Sequence, residues 1–315
     1  SLAADQPTRR EVDRRVTALI HQMVTAKQFG ATSITIPNPF DAQRGLMQPD
    51  GTADELLLPW RTTASLLAGS RYLGQLQLPG GSENRVFRRN DGEVVMIVWG
   101  NRASTEELYL GRQIRQVDCW GRTSRASNNG RRSKIQVGKV PSFVLGLDEA
   151  VARWRMAVKF DAVQVPSVFR LAHANGLHLT NTFAQGISGR YRIVIVDDKQ
   201  TESVSTEGVL VRSGDSSRWN IEPARGEFAI AQRESRMFPL EVTLKNASYG
   251  VQPVRIDFDI DGTERTQFSA FRELNVGLGG IEIDISTRLD DDGTLLVEQR
   301  MVSSEEKPVS FNCYL

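Results

Sequence analysis

Residues able to do chemistry are few in this chain, and none falls into a catalytic spacing. Asp290-Asp291-Asp292-Gly293 comes nearest to a metal loop, which needs oxygen ligands at alternating positions, a glycine at the sharp turn and a distal bidentate glutamate. Glu298 lies six residues past Asp292, too early for a helix-flanked calcium loop, so the run reads as a solvated hairpin turn. Asp197-Asp198 and the alternating Asp257, Asp259 and Asp261 read as solvent-side carboxylates. The three histidines, His21, His173 and His178, are scattered and have no paired cysteines beside them, which leaves no zinc set. Two of them, His173 and His178, flank Asn175-Gly176, a hairpin signal. No nucleophile-elbow sequence appears, and Gly80-Gly81 and Gly279-Gly280 lack the strand-to-helix setting of a phosphate loop. The expectation is no catalytic residue, no metal and no cofactor.

Aromatic residues are the remaining handle on binding, because flat sugar faces stack on indole and phenol rings. The five tryptophans are Trp60, Trp99, Trp120, Trp154 and Trp219. A tryptophan within alternating apolar residues faces a core, so the candidates for exposure are Trp120, beside a turn just past Asp118, and Tyr249, in a loop before Gly250.

The elements that would position these residues change character along the chain. Up to about residue 70 the text reads helix, strand, loop, helix; beyond it, short strands separated by turns. Thr8 with Glu11 three residues later opens an amphipathic helix carrying Val12, Val16, Leu19, Ile20, Met23 and Val24 and ending at Gly30. Ile34 to Ile36 reads as a short β-branched strand, followed by the extended loop Pro37-Asn38-Pro39-Phe40-Asp41. Glu55 to Ala68 reads as a second helix, with Pro59 near its true start. From Tyr72, segments such as NRVFRR, EVVMIVWG and KIQVGKVPSFVLGLD read as antiparallel strands, with Asn90-Asp91-Gly92 the strongest hairpin signal. The basic stretch Arg122, Arg125, Arg131, Arg132 and Lys134 has no interleaved aromatic and reads as a loop. ARWRMAVKFD alternates at Trp154, Met156, Val158 and Phe160, which predicts a strand.

Composition bounds the partners. The chain has 315 residues, 39 basic and 38 acidic side chains and a formal charge of +1, so no global field draws nucleic acid or an anionic membrane. No apolar run approaches the roughly 18 residues that span a bilayer, and the first residues lack the charged and apolar regions of a signal peptide. The two cysteines, Cys119 and Cys313, fall in segments assigned to different domains and are expected to be free thiols.

The run AKQFGATSITIPNPFDAQRGLMQPDGTADELLLPWRTTASLLAGSRYLG resembles the final helix, strand and helix of a (β/α)8-barrel glycoside hydrolase of the retaining type. The likeness covers about residues 8 to 74. It implies that the general acid and the nucleophile, about 5 Å apart in such enzymes, would lie before Ser1. It also implies that Asp41, on the eighth-strand loop, lines a sugar subsite with Phe40 as a stacking wall. The bare residues equally allow Phe40 to pack and Asp41 to cap a turn. The order strand, Asp-x-x-Gly turn, loop and Val-Pro-x-Phe-Val-x-Gly is similar to the small β-domain that follows such barrels. The stretch from Trp219 to Ile260 looks like the immunoglobulin-like sandwiches, of the type associated with galactose-binding modules, appended to carbohydrate-active enzymes, although Arg233-Glu234 departs from the expected Gly-Glu.

The expected fold class is therefore mainly β: antiparallel β-sandwich domains preceded by a short α/β segment resembling the end of a TIM barrel. The expected divisions are 1–70 for the α/β segment, 71–148 for a barrel-associated sandwich, 149–265 for an immunoglobulin-like sandwich and 266–315 for further strands of the same or a truncated fourth domain. The resemblance implies a non-catalytic accessory region partnered by an upstream barrel and by polysaccharide, in an extracellular or periplasmic setting. The expected substrate-binding residues are Phe40, Asp41, Trp120 and Tyr249. The alternative is a stand-alone carbohydrate-binding or structural, adhesion-type sandwich protein.

Overall fold

A computed structural model describes residues 8–41, 45–129, 132–166, 171–196, 219–245, 250–262, 264–277 and 281–303. Tyr249, Asp197-Asp198, Gly279-Gly280 and Cys313 lie outside the described residues.

Helix α1 (Arg9–Gln28) starts where Thr8 and Glu11 close a capping box, with the Glu11 carboxylate accepting from the Thr8 N–H at 2.7 Å. Helix α2 (Leu57–Leu67) holds Pro59 in its first turn, where the missing N–H breaks no ladder bond. The strand expected at Ile34 to Ile36 does not form. A β-branched run builds a ladder only against a neighbouring strand, and none pairs with this one among the described residues.

Nine strands follow: β1 (Arg71–Gly74), β2 (Glu83–Arg88), β3 (Val94–Trp99), β4 (Ser104–Leu108), β5 (Arg115–Val117), β6 (Thr123–Arg125), β7 (Ser127–Asn129), β8 (Arg132–Val137) and β9 (Ser142–Leu145). They form a six-stranded sheet, β1-β2-β3-β9-β5-β6, and a three-stranded sheet, β4-β8-β7. Asn90-Asp91-Gly92 turns β2 into β3, with Gly92 at φ 86° and the Glu93 N–H donating to the Asp91 side chain. The basic stretch from Arg122 to Lys134, expected as a loop, instead supplies β6, β7 and the start of β8. Arg125 ends β6, whose three residues are all exposed at the edge of the six-stranded sheet, where strand pairing and solvation are compatible.

The six-stranded sheet is covered on both faces. Val95 and Ile97 of β3 share a core with Val16, Ile20 and Val24 of α1 and Leu67 of α2. Val94, Met96 and Val98 face the other way, into a core with Leu108, Ile135 and Val137 of the three-stranded sheet. The layers run helices, sheet, sheet.

The strand expected from Trp154 to Phe160 is mostly helix: α3 spans Glu149–Ala157. Asp148 caps it by accepting from the Val151 N–H at 3.1 Å, and this cap outweighs the period-two alternation. In a helix, residues two apart point nearly oppositely, which sends Trp154 into the core that follows and Met156 back against the first unit.

The second unit comprises β10 (Lys159–Phe160), β11 (Gln164–Val165), β12 (Ala172–Thr180), β13 (Ile187–Ile195), β14 (Trp219–Glu222), β15 (Arg225–Ile230), β16 (Ser235–Leu244), β17 (Gly250–Asp261) and β18 (Thr266–Val276). Two sheets, β10-β12-β16-β14 and β11-β18-β17-β13-β15, face one another across one core. Pairing is antiparallel except between β11 and β18. Asn175-Gly176, expected as a turn, runs straight through β12 in register with β16. The Asn175 amide is spent on both backbone groups of Ala162, and a side chain at 176 would collide with Met237.

The last elements are β19 (Ile281–Leu289) and β20 (Leu295–Ser303), a two-stranded ribbon. The Asp290–Gly293 run makes its turn, with Gly293 N–H donating to the Asp290 carbonyl at 2.9 Å.

Candidate functional site

The sequence-derived binding residues do not converge. Phe40 is half exposed in a turn where its N–H donates to the Asn38 side chain at 3.1 Å. Asp41 continues that turn, its carbonyl accepting from the Gly45 N–H at 2.7 Å. Trp120 stands in the turn between β5 and β6, half buried against the helix-covered core, and Asp118 accepts from its N–H at 2.9 Å. That core contains Trp60 and Trp99 as well, while Trp154 and Trp219 are fully buried. All five indoles thus serve packing.

The outer faces of the second unit are polar and internally paired. On the β13-β17-β18 face, Arg265 donates to Asp259 at 2.8 Å and Ser269 to Asp257 at 2.6 Å. Arg255 lies 3.0 Å from Asp257. The hydrogen bond from Arg265 holds the Asp259 carboxyl below the usual range, against a smaller opposing effect of desolvation. On the opposite outer face, Thr180 and Ser235 pair at 2.8 Å and His178 meets Asp161 at 3.1 Å. Phe183, Phe228, Phe258 and Phe268 face inward around Trp154, whereas the partly buried Phe271 falls on the outer face of β18, opposite Arg255.

One groove, of about 430 Å³, lies where the first unit meets α3, lined by Glu93, Gly111, Arg112, Gln113, Arg115, Gly146 and Asp148. It holds two carboxylates, yet both are committed. Glu93 binds Arg115 at 2.5 Å and Arg89 at 3.0 Å, and Asp148 caps α3. Arg112 reaches across to Glu264 of the second unit. A general acid needs a proton-carrying group aimed at substrate; here each carboxylate is held by structural donors.

Sequence reasoning missed two buried charged residues. Glu106 of β4 is buried and accepts from the Gly80 and Ser82 N–H groups at 2.8 and 3.2 Å, pinning the loop ahead of β2. Arg155 of α3 is 2 % exposed and donates through Nε to the Ser269 carbonyl at 2.7 Å. Its guanidinium stacks 5.5 Å over the Phe268 ring, and desolvation pulls its pKa down to about 9. Neither was legible, because the Thr-Glu-Glu run and the Arg-Trp-Arg run carry the charge pattern of solvated faces. Both act on packing: Glu106 within the first unit, Arg155 between α3 and β18.

Among the described residues no cluster of three potential metal ligands occurs, and no helix is long and apolar enough to cross a membrane. No family profile matches the chain, and no curated protein is similar at a significant level. Among solved structures, WR4, an MSP family member from C. elegans, is 7% identical and covered over 98% of its length by 38% of this chain, with a TM-score of 0.24. The periplasmic chaperone SfaE is 11% identical, with 46% of this chain covering 98% of it at a TM-score of 0.24. The exo-chitosanase CsxA of Amycolatopsis orientalis is 8% identical, with 68% of this chain covering 27% of it at 0.22. Scores this low decide nothing about what the chain does.

Proposed function

We propose that this chain is a non-catalytic accessory region of a glycoside-hydrolase-like protein, serving to support a barrel. The observation that carries the reading is a shared core. The segment resembling a barrel's closing elements and the β-domain after it are joined through Val16, Ile20, Leu67, Phe87, Ile97 and Phe143. Phe29, Ile34 and Leu58 stay exposed in the helical segment, as expected for a segment with further packing to make. The reading places the protein outside the cell or in the periplasm, where polysaccharide is met.

The paired polar faces of the second unit favour scaffolding over sugar binding through a sheet. A polysaccharide contact, in this proposal, falls to the Phe40-Asp41 turn, with Phe40 as the stacking ring. Two measurements test the proposal. The purified chain is expected to show no turnover of chromogenic glycosides, and measurable turnover overturns it. Affinity electrophoresis against a polysaccharide panel is expected to show weak retardation abolished by Phe40→Ala; strong retardation unaffected by that change transfers the role to a stand-alone binding module.

A further inference from the structure

Strand β15 is the last member of the five-stranded sheet β11-β18-β17-β13-β15, and residues 219–245 around it are described without a break. One hydrogen bond fixes which of its backbone groups face out. The Ile193 N–H donates to the Ala224 carbonyl at 2.8 Å, in the register that sets Tyr191 opposite Gly226 and Gly189 opposite Phe228. Backbone groups turn toward and away from a neighbouring strand alternately, so those of Ala224, Gly226, Phe228 and Ile230 point to β13, and those of Arg225, Glu227 and Ala229 point away from it. Among the described residues no backbone group pairs with these outward N–H and C=O groups, and Arg225, Glu227 and Ala229 are all exposed. Such an edge is a template for another strand.

The charges on the edge specify which strand. Within its own sheet Arg225 sits opposite Arg192, and like charges directly opposite repel. Asp257, the other cross-strand neighbour of Arg192, is held by Arg255 at 3.0 Å and by Ser269 at 2.6 Å. Antiparallel pairing with a second copy needs outward groups opposite outward groups, which allows two-fold axes through Arg225, Gly226 or Glu227 and none between them. The first sets Arg225 against its own copy, and the third sets Glu227 against its own copy. Only the axis through Gly226 places Arg225 opposite the second copy's Glu227 and Glu227 opposite its Arg225, two unlike pairs in one isologous contact. Both positions would exchange their backbone hydrogen bonds, and Gly226 would meet its copy at the close, non-bonded position between them.

We propose that β15 pairs antiparallel with β15 of a second copy of this chain about Gly226, joining two five-stranded sheets into one. The proposal stands independently of the accessory role argued above.

Sedimentation of the intact protein over a concentration series is expected to show a monomer–dimer equilibrium. Arg225→Glu, which sets glutamate opposite glutamate twice, should weaken it by about tenfold or more, and the double change R225E/E227R should restore it. The same Arg225→Glu change replaces the repulsion between positions 225 and 192 by an attraction, so the fold should melt no earlier and a lost dimer reports on the contact. Disulfide trapping in a Cys313→Ser background reads the register: oxidising a mixture of Arg225→Cys and Glu227→Cys chains should yield a mixed dimer, and either chain alone should not cross-link. Should Arg225→Glu melt early, the mixed cross-link decides. A monomer at every concentration overturns the proposal, as does a dimer indifferent to Arg225→Glu that gives no mixed cross-link. A chain that dimerises only once residues 199–217 are excised also overturns it, since that segment then covers the edge.

Discussion

The two large β units bury their sheets differently, and the difference is written in their strands. In the first, the six-stranded sheet has helices on one face and a second sheet on the other, so β3 is buried along Val94–Val98 without interruption. In the second, two sheets cover only each other, and β17 alternates buried Val254, Ile256, Phe258 and Ile260 with partly exposed Arg255, Asp257 and Asp259. A sheet covered twice is apolar in every position; a sheet covered once is apolar in every other. The comparison also shows where each unit stores stability: the first spreads it over two thin cores, the second concentrates it around Trp154, which meets Phe183, Phe228, Phe258 and Phe268 at once.

The sharpest way to break the comparison is Trp154→Ala. Removing a fully buried indole from the hub of one core should cost about 3–5 kcal/mol and lower the urea midpoint of the second unit. Ile97→Ala, in a sheet with apolar layers on both sides, should cost about 2–5 kcal/mol and act on the first unit. Two transitions that move separately in the two variants would establish the division of labour; one transition moved alike by both would show a single cooperative block.

Asp148→Ala probes the joint between the units with a smaller expected effect. Losing the cap of α3 should cost about 1 kcal/mol, and because Trp154 and Met156 of that helix enter different cores, both transitions should shift together. A shift confined to the second unit would mean that Met156 contributes packing without coupling.

Legibility followed the same division. The Asp91-Gly92 hairpin, the Thr8 capping box and the mainly β, sandwich-rich architecture were readable because each signal is local: a turn needing a left-handed residue, a side chain reaching three residues on, a period of two. Helix α3 was misread because Trp154, Met156, Val158 and Phe160 alternate in a segment that two cores use from opposite sides, and only the Asp148 cap distinguishes helix from strand. Asn175-Gly176 was misread because the pair is equally suited to a turn and to a strand whose amide ties down a neighbouring loop. The candidate site was least legible. Trp120 looked exposed beside its turn, but the helices whose core half buries it end at Gln28 and Leu67, far earlier in the chain, a contact no local pattern encodes.

The smallest expected effect separates the units by pH. His21 of α1 lies 4.7 Å from the Trp99 ring, and its buried Nε2 has no hydrogen-bond partner among the described residues. Desolvation first, and the Arg85 charge second, hold its pKa below the ordinary 6.5, so the fold prefers the neutral ring. Below about pH 6.5 the unfolded chain binds this proton before the folded one does, and stability rises with pH wherever the unfolded state carries more protons. The first unit should therefore hold its full stability above that value and lose part of it as pH falls toward 5. Urea midpoints measured from pH 7.5 to 5 check this. His21→Gln, which carries no titrating group, should flatten the profile of the first unit alone; a slope that survives the substitution would assign the loss to carboxylates instead.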